Sequence, residues 1–160
     1  MYATERSLPE NARIFEQRSV IKTTMAAMEA FHQDPAALKK LTPLPIIAQL
    51  QEDHRTSLTA GDIRFTLWFG PVPVRWHAQH EEGPTPTSFA DRQLEGPMAY
   101  WRHEHIFEDV PNGIQLTDRI TLAHRQGITG LLTRLFFDGL PLRILFTYRH
   151  LRTRLSLSYA

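Results

Sequence analysis

The sequence predicts an α+β fold: a curved seven-stranded antiparallel sheet around a long C-terminal helix, with two short helices between the first two strands. Three observations predict it. Residues 46–124 fall into apolar or alternating segments of strand length, separated by turn chemistry. Residues 24–41 lack that pattern and are rich in helix formers. From about residue 140 onward, apolar residues recur at helical spacing.

The first strand is read over residues 12–23, ARIFEQRSVIKT. Arg13, Phe15, Gln17, Ser19 and Ile21 share one face; Ile14, Glu16, Arg18 and Val20 share the other. Thr24 is a fitting N-cap for the helix formers MAAMEAFH. Asp34-Pro35 predicts a second helix start, with Asp as cap and Pro at the first helical position, and Pro43 and Pro45 end it. Six further strands are expected at 46–58, 62–70, 72–82, 87–95, 99–109 and 114–124. Their breaks are Ala60-Gly61-Asp62, Gly70-Pro71, Gly83-Pro84, Gly96-Pro97 and Pro111-Asn112-Gly113, and such short connections make neighbours antiparallel. A shorter helix is expected near 128–137, interrupted by Asp138-Gly139 and Pro141, before the long final helix from about 140. In that helix Ile144, Tyr148, Leu151 and Leu155 form the apolar stripe, with Arg143, Arg149, Arg152 and Arg154 elsewhere on the wheel. An antiparallel sheet must cover its apolar face, and a long helix gripped by a curved sheet leaves room for a cavity between them.

A chain of 160 residues favours one domain, taken here as residues 1–160, with enough length for a core that needs no staple. The absence of cysteine excludes disulfides, thiolate metal ligands and thiol catalysis, and is compatible with a reducing compartment. MYATERSLPEN has no apolar core of a signal peptide, and no run approaches the length of a membrane span, so a cytoplasmic protein without integral membrane association is expected. A net charge of +1 singles out no partner, and nucleic acid is not expected as one. Six arginines against the single acid Asp138 in 125–154 are read as a solvated helix face. The dense run Leu131, Leu132, Leu135, Phe136, Phe137 is read as core or as a lid at the mouth of a cavity. Eight histidines are the compositional oddity.

Several local patterns, in order along nearly the whole chain, resemble one superfamily. They are FEQRSVI, then AFHQDPAALKKLTPLP, then SFADRQLEGPMAYWRHEHIF with GIQLTDRI, and FTYRHLR in the last helix. The chain resembles the SRPBCC (START/Bet v 1-like) superfamily of the helix-grip fold, and in particular its bacterial ligand-binding and cyclase/dehydrase-like members. Thr23-Thr24 stands where the family often has Ala-Pro, a departure that bears on the first turn. The resemblance implies a cavity for apolar or amphipathic molecules, with aromatase/cyclase or hydrolase activity in a few members. No cofactor is expected, and fold alone does not assign the function.

The candidate chemistry centres on AYWRHEHIF. Trp101, His103, His105 and Phe107 share one strand face, and Arg102 with Glu104 the other, where two charges are cheaper. Neighbouring strands offer Phe89, Asp91 and Gln93, and Leu116, Asp118 and Ile120. A cavity wall is expected from Trp68, Trp76, Phe89, Trp101, Phe107, Leu116 and Tyr148. Orientation of a ligand is expected from Asp91, Gln93, His103, His105 and Asp118, provided the register across Gly96-Pro97 aligns them. Three readings are open. His-x-His on a strand aims two imidazoles the same way, as a metal requires. Glu108, however, falls on the opposite face, His77 and His80 split between faces, and no second cupin motif follows, so no metal is expected. If the protein is an enzyme, His103, His105 and Asp91 are the acid/base candidates. The favoured reading is that these polar groups hydrogen-bond one another, a network that orients the polar end of a hydrophobic small-molecule ligand or merely closes the core.

Overall fold

The computed structural model describes residues 7–158. Strand β1 (Arg13–Ile21) is followed by helices α1 (Met25–Gln33) and α2 (Ala37–Lys40). Then come β2 (Ile47–Asp53), β3 (Asp62–Phe69), β4 (Val72–Glu82), β5 (Ser88–Glu95), β6 (Tyr100–Val110) and β7 (Gly113–Ala123). Helices α3 (Gly127–Phe136) and α4 (Gly139–Leu157) complete the described chain. The strands form one antiparallel sheet in the order β1-β7-β6-β5-β4-β3-β2, so the first strand closes against the last. The pairing is irregular between Leu50 and Glu52 in β2 and between His77 and Ala78 in β4, the kind of register shift at which strands bend.

Alternation decides which face of each strand is inside. In β1, Phe15 packs on Phe146 of α4, Gln17 reaches Thr147 and Ser19 reaches His150, while Ile14 stands exposed. The convex face carries charge instead. Arg92 and Arg102 share Glu81, Arg102 also meets Glu104, and Arg119 bridges Glu104 to Glu16. Each such pair contributes little alone, about 1 kcal/mol or less, but the row keeps that face in water.

Thr24 caps α1 as expected, its hydroxyl accepting from the Ala27 N–H at 3.2 Å. Thr24→Ala should lower stability by about 1 kcal/mol in urea unfolding, with little effect on anything beyond α1. The second helix corrects the sequence reading. Asp34 adopts the extended backbone that a following proline favours and ends α1. Its carboxylate accepts from Ala36 N and Lys40 Nζ, and α2 starts only at Ala37 without a side-chain cap. β2 is likewise shorter than the expected 46–58. After Asp53 the chain turns, because Arg55 folds onto the Asp53 carboxylate and the His32 and Gln33 carbonyls. The turn closes at Gly61, whose φ of +95° and 2.3 Å approach of His54 O to any added Cβ require glycine.

The largest correction concerns α4. Its break lies where expected, and Asp138 caps the helix, its carboxylate accepting from the Gly139 N–H. The buried stripe, however, is Leu142, Phe146, His150, Thr153 and Leu157, while Ile144, Leu151 and Leu155 are exposed. The helical period is as read, but the helix is turned to its opposite face. Two polar residues occupy the buried stripe because each has a partner. His150 bonds Ser19 and Asp118, and Thr153 donates to the Arg149 carbonyl.

Candidate functional site

Sheet register brings the polar side chains together in two rows. One runs His80, Asp91, His103, Ile120 and Phe15 across β4, β5, β6, β7 and β1. The next runs Phe89, His105, Asp118 and Gln17 across β5, β6, β7 and β1. The hairpin across Gly96-Pro97 thus pairs Asp91 with His103, and Gln93 secures that turn by bonding both the N–H and the carbonyl of Met98.

Asp118 is the hub. Its Oδ1 lies 2.6 Å from His103 Nε2 and its Oδ2 lies 2.8 Å from His150 Nε2. His105 sits between the two carboxylates: Nε2 is 2.8 Å from Asp91 Oδ2, and Nδ1 is 3.3 Å from Asp118 Oδ1 without hydrogen-bond alignment. The Phe89 ring stacks on His105 at 4.2 Å, and the His103 and His105 rings lie 3.7 Å apart. All of these histidines and Asp118 are buried.

Burial and pairing divide the charges. Burial would raise the Asp118 carboxyl, but the charge of His103, bonds from His103 and His150 and the close approach of His105 hold it well below the usual carboxylate range. Burial also raises Asp91, and its bond to His105 with the charges of His103 and His105 overcomes this, so Asp91 too is depressed. Burial disfavours the His105 cation, yet its two carboxylate partners outweigh that and raise its pKa. His103 is lowered by burial and then by the charge of His105. The set is two depressed carboxylates flanking a raised His105, with a lowered His103 beside it.

His32 of α1 completes the group from above. Its Nδ1 bonds the Met28 carbonyl and its ring packs near Phe31, Phe89, His105 and Phe107. Burial, followed by the charge of His105, lowers its pKa from 6.5 to about 3. A histidine held neutral costs stability wherever the unfolded chain binds a proton that the native state does not. Stability should therefore fall as pH drops from 6.5 toward 3. His32→Phe should flatten that slope by up to about 1.4 kcal/mol per pH unit, measured by urea unfolding at several pH values.

A cavity of about 410 Å³ opens beside this network, between the concave sheet, α2, α3 and α4. From the sheet, Ile63, Phe65, Leu67, Phe69, Trp76 and Ala78 make its apolar wall. Trp101, Phe137, Leu145 and Phe146 close the far side, and His32, His80, Asp91, His103, His105 and Arg149 supply its polar portion. Phe136, Pro141 and Ile144 line it from the α3–α4 corner, where Ile128, Leu131, Leu132 and Leu135 stand exposed.

Of the side chains expected at the site, Trp76, Phe89, Asp91, Trp101, His103 and His105 border the cavity. The others lie elsewhere. Trp68 is on the opposite face of β3, donating to Gln49 Oε1, because Phe65, Leu67 and Phe69 take the inner face. Gln93 is consumed by the Met98 turn. Phe107 and Leu116 belong to a separate core cluster with Ile21, Met28 and Phe31 beneath α1. Asp118 is behind the histidines rather than on the cavity surface. Tyr148, partly buried, falls off the cavity side of α4, as the turned helix requires. Conversely, sequence reasoning missed His32 and His80, which parity and helix position could have raised, and Arg149, which was taken for a solvated charge.

Asp91, His103 and His105 each offer a ligand atom within 4.8 Å of the others, the residue types of a two-histidine, one-carboxylate cation site. One nitrogen of each histidine is already engaged, His103 Nε2 with Asp118 and His105 Nε2 with Asp91, while His105 Nδ1 has no hydrogen-bond partner.

No protein-family model and no curated protein sequence matches the chain. Solved structures do. The ginseng major latex-like protein 151 from Panax ginseng is similar with a TM-score of 0.65 and 11% identity, over 92% of this chain and 99% of that one. The Zhui aromatase/cyclase from Streptomyces sp. R1128 is similar with a TM-score of 0.63 and 14% identity, over 91% of each chain. A nucleoside-diphosphate sugar epimerase from Corynebacterium glutamicum is similar with a TM-score of 0.63 and 24% identity, over 88% of this chain but 28% of that longer one. Among the described residues no helix is long and apolar enough to cross a membrane. With its strand order, its gripped C-terminal helix and these likenesses, the chain has the helix-grip fold of the Bet v 1-like, SRPBCC-type proteins.

Proposed function

We propose that the protein binds a hydrophobic or amphipathic small molecule, lipid-, polyketide- or aromatic-like, in the cavity between the sheet and α4. The observation that carries this reading is the 410 Å³ cavity itself, apolar over most of its wall and polar at one cluster. That volume and that distribution suit a small organic ligand. In this reading Trp76, Phe89 and Trp101 hold the apolar body, and His103, His105 and Asp91 orient a polar group. With no cysteine to oxidise, the reading takes the cytoplasm as its setting and the whole of residues 1–160 as the binding unit. Native mass spectrometry tests it. A non-covalent adduct at one per chain is expected, either as purified or after incubation with 1-dodecanol and dodecanoate, and absent from the denatured spectrum. The bare chain mass in every native spectrum would contradict it.

A second reading rests on a specific observation: His103 and His105 border the cavity while each bonds a carboxylate. That arrangement suits general acid–base chemistry of the cyclase/dehydrase or hydrolase kind. It expects turnover of a poly-β-keto substrate that His103→Ala abolishes while binding persists. Binding without turnover leaves the first reading.

A further inference from the structure

Two arginines border the cavity, and their situations differ. Arg55 is fully engaged: Nε and Nη2 meet the Asp53 carboxylate, and Nη1 and Nη2 meet the carbonyls of His32 and Gln33. Arg149, in the middle of α4, makes no side-chain hydrogen bond and no ion pair among the described residues. Its guanidinium lies 5.4 Å from the centre of the Phe146 ring, partly shielded from water, and it takes part in the cavity wall. The nearby carboxylates do not serve it. Asp118 is bonded by His103 and His150, and Asp91 by His105. Burial pushes the Arg149 guanidinium down from its usual pKa, opposed by the charges of Asp118 and Asp91.

A guanidinium has five N–H donors in a planar fork, and a shielded polar group without partners is costly. Arg149 is half-buried, so water meets only part of that fork. Arg149 has Phe146 beneath it and a mostly apolar cavity in front. The group that fits that fork and that setting is a planar oxyanion with an apolar body.

Resting on the proposed binding reading, we infer that the ligand is an amphiphile with a carboxylate or similar oxyanion head, and that Arg149 receives this head in bidentate fashion. The apolar body then lies along Phe65, Leu67 and Trp76. The Asp91–His105 pair in the same wall is already bonded within itself, so the oxyanion head goes to the guanidinium on α4 and the histidine cluster is left to orient a second polar group of the ligand.

Two probes of one chain length separate this inference from the reading beneath it: dodecanoate, ionised at about pH 8, and neutral 1-dodecanol. Their dissociation constants are measured by displacement of N-phenyl-1-naphthylamine, for wild type and for Arg149→Met and Arg149→Lys. Wild type should bind dodecanoate about tenfold or more tighter than dodecanol. Arg149→Met should bring the two to about equal while dodecanol affinity stays within about threefold. Arg149→Lys, which keeps the charge without the fork, should fall between. Dodecanol binding with no preference for dodecanoate in wild type, or a preference that Arg149→Met leaves intact, overturns the inference and spares the cavity. Failure of wild type to bind either probe, or the naphthylamine, overturns both. The wild-type ratio decides even if a variant does not fold.

Discussion

Asp118→Ala should destabilise the protein by about 3–5 kcal/mol, the cost of removing one partner from a buried charged network. The carboxylate is nearly inaccessible and holds three imidazoles, from two elements, by contacts of 2.6, 2.8 and 3.3 Å. Without it, His103 and His150 each lose a partner and His105 keeps only Asp91. Because His150 belongs to α4 and His103 to β6, the loss also removes a polar tie between the helix and the sheet. Chemical denaturation at neutral pH measures the effect. The same network fixes its pH response. Asp118 is depressed, so its contribution is present above the ordinary carboxylate pKa of 3.8 and is lost as pH falls through the lower native value. His105 is raised above 6.5, so its contribution is full below 6.5 and is lost as pH rises through its native value. Asp118→Asn and His105→Gln should each weaken both limbs, because His105 also helps hold Asp91 and Asp118 low.

Phe146→Ala is expected to cost about 3–5 kcal/mol, as for a buried aromatic truncated to a methyl group. The ring is 2% exposed and meets Phe15 on β1, His103 on β6 and the Arg149 guanidinium. It also borders the cavity, so the vacated volume adds to a space that already exists and that neighbouring side chains cannot collapse to fill. Thermal unfolding checks the stability. The variant should also bind 1-dodecanol more weakly, because a wider cavity holds a thin chain with fewer contacts.

How much of this was legible in the sequence depended on the signal available at each place. Turn chemistry placed every strand break, and strand ends fell within a residue or two except in β2. There Arg55 folds back onto Asp53, a contact that strand alternation does not report. Parity alone placed His103 and His105 inside with Trp101 and Phe107, and Arg102 and Glu104 outside among ion pairs. It failed for Trp68 because both faces of β3 are apolar, so that the aromatic face is not marked. The phase of α4 was misread because its inner stripe contains His150 and Thr153. Hydropathy counts them as outward, while their partners on distant strands and on the preceding turn make them inward. That single rotation moves Tyr148 off the cavity and accounts for Arg149 being taken as a surface charge.

Whether the cavity takes a ligand is decided by a titration of N-phenyl-1-naphthylamine against wild type and Ala78→Phe. Ala78 is buried in β4 and its methyl borders the cavity, so a phenyl group there occupies ligand space. Saturable binding at one probe per chain is expected in wild type, with enhanced and blue-shifted emission. That binding should weaken by about tenfold or more in Ala78→Phe at similar thermal stability. No saturable binding in wild type, or undiminished binding in a folded Ala78→Phe, would contradict ligand binding in this cavity.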